Sequence, residues 1–367
     1  MNKKRIPWWR PQIGKKEYAL LKGVLDDNYP NQGPVARKFE NAVATMIGVR
    51  HAVSVPNGTS AMFLALKALG IGHGDEVIVQ DNTYIATANA VTLTGAKPVL
   101  VDADPTTLMI SLPAIEKAIT RRTKAILPVH ISGRAAPMKA ILAIAKKKNV
   151  YVVEDAAEAF TGRSSGKYLG TFGDVGCFSF SPQKIITCGQ GGMVVTNHRS
   201  IEKRVRELKN QGVYAQLTGG NDTHYSLGFN FKFTDLQAAL GLAQLSYLPK
   251  RLARMARTHE LYKKHLRGVR GITVFECNTK RGEIPLWTDA IADRRDKLVE
   301  YLATKNIDCR KFWYPLHTQG PYKRSGAAFP ATSKIAPKCL WLPSAFTLTD
   351  RDVLTVCREV RAFYAAR

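Results

Sequence analysis

Hydrophobic residues follow two alternating patterns along the first two thirds of the chain. Short, mostly apolar runs predict buried strands at 51–55, 76–79, 98–101, 125–129, 150–153 and 193–196. Apolar residues at helical spacing predict helices between them, at 59–69, 113–119 and 137–147. Continuous apolar strands that alternate with helices are typical of a mainly parallel sheet covered on both faces. The pattern therefore predicts an α/β protein.

The pattern changes towards the C-terminus. Thr234 and Gln237 have the spacing of a capping box at the start of a longer helix. The basic segment 250–264 predicts a connecting helix, and shorter strands and helices follow after about residue 268. We therefore expect a large domain over 1–248, which includes the N-terminal segment, and a smaller domain over 249–367.

Composition narrows the class of protein. The chain has 367 residues, 45% hydrophobic and 23% charged, and these shares exclude disordered, collagen-like and coiled-coil proteins. No apolar run reaches the roughly 18 residues of a membrane span, and the N-terminal residues lack the apolar core of a signal peptide. The six cysteines form no CxxC pair, which argues against a zinc site or a disulfide framework. We expect a cytoplasmic protein that binds no metal and no membrane.

The charge balance is strongly basic. The chain has 54 lysines and arginines against 29 acidic residues, which leaves a formal charge of +25. Such a surface attracts phosphate, either in nucleic acid or in a small anionic substrate. The basic runs are short and scattered, at 3–5, 146–148 and 294–295, and no nucleic-acid-binding motif accompanies them. A small anionic substrate is therefore favoured over nucleic acid.

A segment of small and hydroxylated residues lies where the strand at 51–55 meets the helix at 59–69. Gly58 lets the backbone approach a ligand closely, and Thr59 and Ser60 add hydroxyls to the free amides of a helix N-terminus. Together these groups can form a cup for a phosphate group. A simple capping turn accounts for the same residues.

An acid and an amine follow in the sequence. Asp155 ends an apolar strand, where open α/β sheets place their ligands, and could keep a pyridinium nitrogen protonated. A helix cap is the alternative interpretation. Lys184 lies among apolar residues, which suits an imine-forming lysine, although a lone lysine is more often a surface residue. The cup, the acid and the amine, in this order, match the three groups that hold pyridoxal 5′-phosphate.

Longer segments resemble a known family. They include NGTSAMFLALKALGIGHGDEVI at 57–78, VVEDAAEAFTG at 152–162 and GTFGDVGCFSFSPQKIITCGQGGMVVTN at 170–197, with others at 83–102, 227–245 and 314–322. Over about residues 11–360 the sequence resembles the sugar aminotransferases of the DegT/DnrJ/EryC1/StrS group. The resemblance implies the aspartate-aminotransferase fold (fold type I) of pyridoxal-phosphate enzymes. That fold has a large domain with a mainly parallel, mixed seven-stranded sheet and a smaller C-terminal α+β domain.

The resemblance also implies roles for individual residues. Lys184 would form the imine with the cofactor and then move a proton between the substrate carbon and the cofactor. Asp155 would pair with the pyridine nitrogen, and Tyr84 would stack on the ring. Glu158 would lie near the ring oxygen. The groups next to the cofactor phosphate would be Gly58, Thr59, Ser60 and Ser179.

The remaining implied contacts involve a partner subunit and the substrate. Asn230 lies in a segment that family members donate across a dimer interface to the partner's phosphate site. The substrate would be contacted by His317, Tyr84 and Gln190. Gln190 replaces the glutamate of the family's usual GEGG, Gly320 is an extra residue, and the region 272–288 is shortened. These departures concern the substrate more than the reaction type.

The implied activity is that of a homodimeric aminotransferase with shared active sites. It would use pyridoxal phosphate and L-glutamate to aminate a nucleotide-linked ketosugar for surface-glycan biosynthesis. Lys184 argues against the branch of the family that has histidine at this position and dehydrates its ketosugar. The segments 170–180 and 312–319 are most similar to the branch that aminates C4 of a 4-keto-6-deoxy sugar, with amination at C3 as the alternative. An alternative of another class is a DNA-associated regulatory protein that keeps the fold as a sensor.

Two expectations concern packing. The five tryptophans, Trp8, Trp9, Trp287, Trp313 and Trp341, are expected to pack in the interior rather than to contact the substrate. His130, at the end of a predicted strand, is expected to be structural.

Overall fold

The structure is a computed structural model that describes residues 5–213 and 223–366. Its strands are β1 His51–Val55, β2 Glu76–Gln80, β3 Lys97–Val101, β4 Thr123–Leu127, β5 Tyr151–Asp155, β6 Arg163–Ser164, β7 Lys167–Tyr168, β8 Val175–Ser179, β9 Gly192–Thr196, β10 Ile272–Val274, β11 Thr288–Ala292, β12 Arg310–Lys311 and β13 Cys339–Leu342. Its α-helices are α1 Lys15–Asp26, α2 Pro34–Ile47, α3 Gly58–Ala68, α4 Ala86–Leu93, α5 Leu112–Ala118, α6 Met138–Lys148, α7 Arg199–Lys209, α8 Asp235–Leu245, α9 Leu248–Leu266, α10 Arg295–Thr304, α11 Pro330–Ile335 and α12 Asp350–Ala365.

A seven-stranded sheet organises the first two thirds of the chain. Its order is β1-β9-β8-β5-β4-β2-β3, and the strands from β8 to β3 pair in parallel. β9 pairs antiparallel with both β1 and β8, so the sheet is mixed. The predicted fold class, with a mainly parallel seven-stranded sheet, is confirmed. The sequence pattern located six of the seven strands; it did not predict β8, and it did not show that β9 lies between β1 and β8.

The predicted helices agree closely with the structure. The helices predicted at 59–69, 113–119 and 137–147 correspond to α3, α5 and α6. The capping box forms at the start of α8, where the Gln237 amide donates to the Thr234 hydroxyl at 3.3 Å and the Thr234 amide donates to the Gln237 side chain at 3.1 Å. The connecting helix, α9, starts two residues before the predicted segment 250–264.

The C-terminal part has a sheet of its own. Its order is β10-β11-β13-β12, and all pairs are antiparallel. The helices α9, α10 and α12 pack around this sheet. The N-terminal segment also reaches it, since Ile6 forms a parallel bridge with Ile307. The division at 248/249 stays a prediction.

Apolar packing on both faces of the large sheet leaves its carboxyl edge as the place where polar side chains meet. β2, β8 and β9 are buried along their whole length, with apolar side chains packed on both faces. Because β5 and β8 run in parallel, Asp155 and Ser179 at their carboxyl ends lie on the same edge as the N-terminus of α3.

No helix within 5–213 and 223–366 is both long and apolar enough to span a bilayer.

A buried carboxylate joins α8 to the start of α2. Asp235 accepts backbone N–H bonds from Gly33 and Ala36 at 2.8 Å and from Val35 at 3.1 Å. These amides belong to the first turn of α2, where a helix lacks internal partners for its N–H groups and favours negative charge.

We predict that Asp235→Ala lowers the free energy of unfolding by roughly 2–4 kcal/mol, because it removes a cap and leaves buried N–H groups without partners. Chemical denaturation measures this change. Asp296→Ala, which removes an exposed carboxylate paired with Arg295, is the control and should leave stability nearly unchanged. Equal effects of the two substitutions would contradict this account of α2.

Lys209 is buried under the edge strand β1. Its ammonium donates to the Ser54 carbonyl and lies near Glu40, which accepts bonds from the Ser54 amide and hydroxyl at 2.8 and 2.7 Å. Burial lowers the pKa of Lys209 from 10.5 to about 8, and Glu40 opposes this shift only in part. Between pH 8 and pH 10.5 the unfolded chain therefore binds more protons at this lysine than the folded chain does. The resulting contribution to the free energy of unfolding is fully present above pH 10.5 and is lost as the pH falls through about 8.

We predict that the free energy of unfolding of the wild type rises between pH 8 and 10.5 relative to that of Lys209→Met, by roughly 2–3 kcal/mol. Denaturant titrations at several pH values measure the difference. Lys148→Met, at the exposed C-terminal end of α6, should follow the wild type. A Lys209→Met profile parallel to that of the wild type would refute the assignment.

Candidate active site

A cavity of about 890 Å³ opens at the carboxyl edge of the large sheet. This volume is in the range of small-molecule and cofactor sites. Most of the predicted site residues line the cavity: Gly58, Thr59, Ser60, Tyr84, Asp155, Glu158, Ser179, Lys184 and Gln190. Asn230 and His317 do not line it. The structure therefore brings together the cup, the acid and the amine that lie far apart in the sequence.

The cup forms at the N-terminus of α3. Asn57 caps the helix by accepting the Ser60 amide at 2.9 Å, and the Ser60 hydroxyl donates to the Asn57 carbonyl at 2.8 Å. The Ser60 hydroxyl is therefore used in the cap, while Gly58 and Thr59 face the cavity. A Cβ atom at Gly58 would lie 3.0 Å from the Ser179 Cβ, so glycine lets α3 begin directly against the end of β8.

The acid, Asp155, is held in one orientation at the end of β5. One carboxylate oxygen accepts the Thr87 hydroxyl at 2.8 Å, and the other accepts the Ala157 amide at 3.1 Å. Burial raises the pKa of the Asp155 carboxyl, and Thr87, Ala157 and Lys184 oppose the shift. Because burial also weakens screening by water, a carboxylate at this position interacts strongly with a cationic group that enters the cavity.

The amine, Lys184, faces Glu158 across the cavity. The Lys184 Nζ lies 3.3 Å from the Glu158 Oε1 and 5.1 Å from the centre of the Trp287 ring. The second oxygen of Glu158 accepts the Ser132 amide at 2.9 Å. Burial raises the pKa of the Glu158 carboxyl, and Lys184 and the Ser132 amide oppose this shift. Glu158 is thus fixed by the backbone and presents one oxygen to the lysine.

Aromatic side chains form the walls of the cavity. Tyr84 and Trp313 both line it, with ring centres 6.5 Å apart, and Tyr84 remains 53% exposed. Trp287 lines it beside the lysine. Trp287 is only 4% exposed and packs as expected, but both Trp287 and Trp313 also line the cavity, so the expectation that they do not contact the substrate stays a prediction. Trp8 and Trp341 do pack in the interior, each with Trp287.

Three predicted site residues lie at the margin of the cavity or outside it. Gln190 is exposed at the margin, and its carbonyl accepts a bond from Gln237 at 2.8 Å. Asn230 is exposed, and its backbone forms an antiparallel bridge with Asn210, while its neighbours Phe229 and Phe231 line the cavity. Its predicted contact belongs to a partner subunit and stays a prediction.

His317 is buried in a contact between the two parts of the chain. Its Nδ1 lies 2.6 Å from the Asp81 Oδ2, its backbone amide donates to the Asp81 Oδ1 at 2.7 Å, and its ring stacks on Phe329 at 4.8 Å. Since His317 is only 5% exposed, the structure assigns it a positioning contact beside the cavity. Asp81 follows β2 directly and precedes Tyr84 by three residues, so this pair ties the segment after Trp313 to the segment that carries Tyr84.

The structure also shows the support behind Asp155. His130 is fully buried and its Nε2 lies 2.9 Å from the Glu154 Oε2, while its Nδ1 accepts the Ala136 amide at 3.1 Å. The His130 amide donates to the Asp155 carbonyl at 3.0 Å. The expectation of a structural His130 is therefore confirmed.

Sequence reasoning missed several residues of the site. Thr87, which holds Asp155, lies four residues after Thr83, and their hydroxyls are 3.0 Å apart. Thr83 precedes α4, which begins at Ala86, so helical periodicity in the sequence does not mark this pair. Ser181, whose hydroxyl lies 3.3 Å from that of Ser179, and Arg310 also line the cavity.

The residues present fit pyridoxal phosphate. A buried carboxylate, a lysine and the start of a helix all line one cavity, and Asp155 has no cationic partner at hydrogen-bond distance among the described residues. Asp155 can hold the ring nitrogen, and Gly58, Thr59 and Ser179 can hold the phosphate. Lys184 can bind the carbonyl carbon.

Comparison with known proteins agrees with this geometry. The chain matches the model of the DegT/DnrJ/EryC1/StrS aminotransferase family over residues 11–361. It is similar to the GDP-perosamine synthases of Escherichia coli O157:H7, at 38% identity over 99% of each chain, and of Caulobacter vibrioides, at 41% identity over 95% of each chain. Among solved structures, S. venezuelae DesV in complex with a ketimine intermediate has a TM-score of 0.91 and 34% identity, covering 96% of this chain and 94% of that one.

We predict that Thr87→Val weakens binding of pyridoxal phosphate about tenfold, because it removes the hydroxyl that orients the Asp155 carboxylate. Titration of the apoprotein followed by absorbance measures the dissociation constant. Thr92→Val is the control on the same helix, since the Thr92 hydroxyl bonds to Ala88 and Tyr322 outside the cavity. Equal affinities of the two variants would show that Thr87 does not position Asp155.

Proposed function

Since the chain belongs to the DegT/DnrJ/EryC1/StrS aminotransferase family, we propose that it converts a nucleotide-linked 4-keto-6-deoxy sugar to the 4-amino sugar. It is an aminotransferase, and its cofactor is pyridoxal 5′-phosphate. The observation that carries the substrate proposal is the similarity to two GDP-perosamine synthases over at least 95% of each chain. The perosamine synthases are also the branch that the motifs at 170–180 and 312–319 favour.

The side chains in the cavity support this reaction. When bound, pyridoxal phosphate supplies the carbonyl group that takes up the amino group of the donor and delivers it to the ketosugar. Asp155 keeps the ring nitrogen protonated, because a buried carboxylate stabilises a cation in contact with it. Lys184 holds and moves the proton at the reacting carbon, and Glu158, fixed by the Ser132 amide, orients the lysine.

The proposal includes a donor and a partner subunit. L-glutamate is the amino donor, and 2-oxoglutarate is its product. Two copies of the chain form a homodimer with shared active sites, in which Asn230 of each copy contacts the cofactor phosphate of the other. The exposure of Asn230 next to two cavity-lining phenylalanines supports this role.

The cellular role follows from the product. A 4-amino sugar on a nucleotide carrier is a precursor of surface glycans such as the O-antigen of lipopolysaccharide, and the enzyme works in the cytoplasm. Amination at C3 is not favoured, since the relatives from Escherichia coli O157:H7 and Caulobacter vibrioides are both named GDP-perosamine synthase. A DNA-associated sensor is not favoured, because the lysine, the acid and the phosphate cup are all present in one cavity.

The test is turnover of a defined acceptor. We predict that the reconstituted protein converts GDP-4-keto-6-deoxymannose and glutamate to the GDP-linked 4-amino sugar and 2-oxoglutarate, both detected by mass spectrometry. The comparison substrate is the GDP-linked sugar with its keto group at C3 instead of C4. Equal or faster amination of the 3-keto isomer would contradict the proposed substrate.

We predict that Lys184→Ala lowers kcat by at least about a thousandfold, because the proton transfer at the reacting carbon loses its acid–base group. Lys311→Ala, on the exposed strand β12, is the control and should keep wild-type turnover. Turnover by Lys184→Ala within tenfold of the wild type would refute the role of the lysine.

A further inference from the structure

Two cationic side chains within the described part of the chain line the cavity, Lys184 and Arg310. The charge of Lys184 faces Glu158 at 3.3 Å. Arg310 has no carboxylate within ion-pair distance anywhere in residues 5–213 and 223–366, so none of these residues compensates its charge. An exposed, unpaired guanidinium at the margin of a substrate cavity is a natural site for an anion.

Aromatic rings hold Arg310 in place without neutralising it. Its guanidinium carbon lies 5.0 Å from the centre of the Trp8 ring and 5.6 Å from that of Trp341. The backbone of Arg310 pairs with Trp341 across β12 and β13. Contacts between a guanidinium and aromatic faces restrict the side chain and leave its N–H groups available.

Trp8, behind the cavity, and Trp287, in its wall, lie between Arg310 and the reacting end of the cavity. Trp8 lies 5.5 Å from Trp287, and Trp287 lies 5.1 Å from the Lys184 ammonium, with each distance measured to ring centres. Arg310 is thus separated from Lys184 by two indole rings. Because Lys184, Trp287 and Arg310 line one cavity, a substrate whose reacting carbon lies at Lys184 can place an anionic group at Arg310.

Both proposed substrates have this form, and they occupy the cavity in turn. Glutamate carries a side-chain carboxylate a few bonds beyond its reacting carbon, and a 4-ketosugar carries its diphosphate across the sugar ring from C4. We propose that Arg310 is the common anion-recognition residue, which binds the donor carboxylate in one half-reaction and the acceptor diphosphate in the other. This inference rests on the proposed function.

The experiment uses the reconstituted holoenzyme and its Arg310→Gln and Arg310→Lys variants. Two quantities are measured: the glutamate concentration that gives half-maximal loss of the visible absorbance band, and the dissociation constant of guanosine diphosphate from tryptophan fluorescence. We expect Arg310→Gln to raise both by roughly ten- to a hundredfold, because each loses a charge-assisted hydrogen bond. Arg310→Lys should give intermediate values, since lysine keeps the charge without the fork of donors.

Lys311→Gln is the matched control. Lys311 is the next residue, carries the same charge and pairs with Asp296 outside the cavity. It should leave both quantities unchanged within about twofold. Normal cofactor absorbance in each variant shows that the site is assembled. If Arg310→Gln does not bind pyridoxal phosphate, the two quantities are compared between Arg310→Lys and the wild type instead.

The outcomes separate this inference from the proposed function. A wild type that shows neither half-reaction refutes the proposed function itself. If the wild type catalyses both, a change in only one of the two quantities in Arg310→Gln overturns the shared role, and so does no change in either. A wild type that binds no guanosine diphosphate also overturns it.

Discussion

Burial of three carboxylates within five residues is the constraint on which the site depends. Removing a carboxylate from water costs several kcal/mol unless hydrogen bonds or an opposite charge compensate it. Each of the three is compensated differently, by backbone amides and His130 for Glu154, by Thr87 and the Ala157 amide for Asp155, and by the Ser132 amide and Lys184 for Glu158.

The division of roles follows from strand geometry. Successive side chains of a strand point to opposite faces, so Glu154 and Asp155 cannot serve the same site. Glu154 accepts amides from Gly170, Phe172 and Gly173 and thereby fixes the loop before β8. Asp155 points into the cavity, where neutral groups hold it and a cation remains to be supplied. A ligand with a basic ring nitrogen completes this arrangement.

The sequence predicted the parts of the site that local patterns determine. Strand ends located Asp155, an apolar environment singled out Lys184, and a capping box placed the start of α8. Contacts between distant segments were not predictable in the same way. Arg310 and Trp313 reach the cavity only because the C-terminal sheet packs beside the large one, and no periodicity within their own short segments records that.

His317 shows what a resemblance leaves to the fold. The resemblance at 314–322 predicted a contact between His317 and the substrate; in the structure His317 pairs with Asp81 and does not line the cavity, and its contact with the substrate stays a prediction. Its side chain fixes where the neighbouring segment lies and leaves Trp313 and Tyr84 to face the cavity. A motif thus identifies a segment, while the fold decides which of its side chains meets the ligand.

The central claim is that pyridoxal phosphate lies between Asp155 and Lys184 and exchanges amino groups there. The most direct measurement is the visible absorbance spectrum of the wild-type protein with pyridoxal phosphate, recorded before and after addition of glutamate. The account predicts a visible band from cofactor bound to the lysine, which glutamate removes as 2-oxoglutarate forms. A protein without this band, or a band that glutamate leaves unchanged, would contradict it.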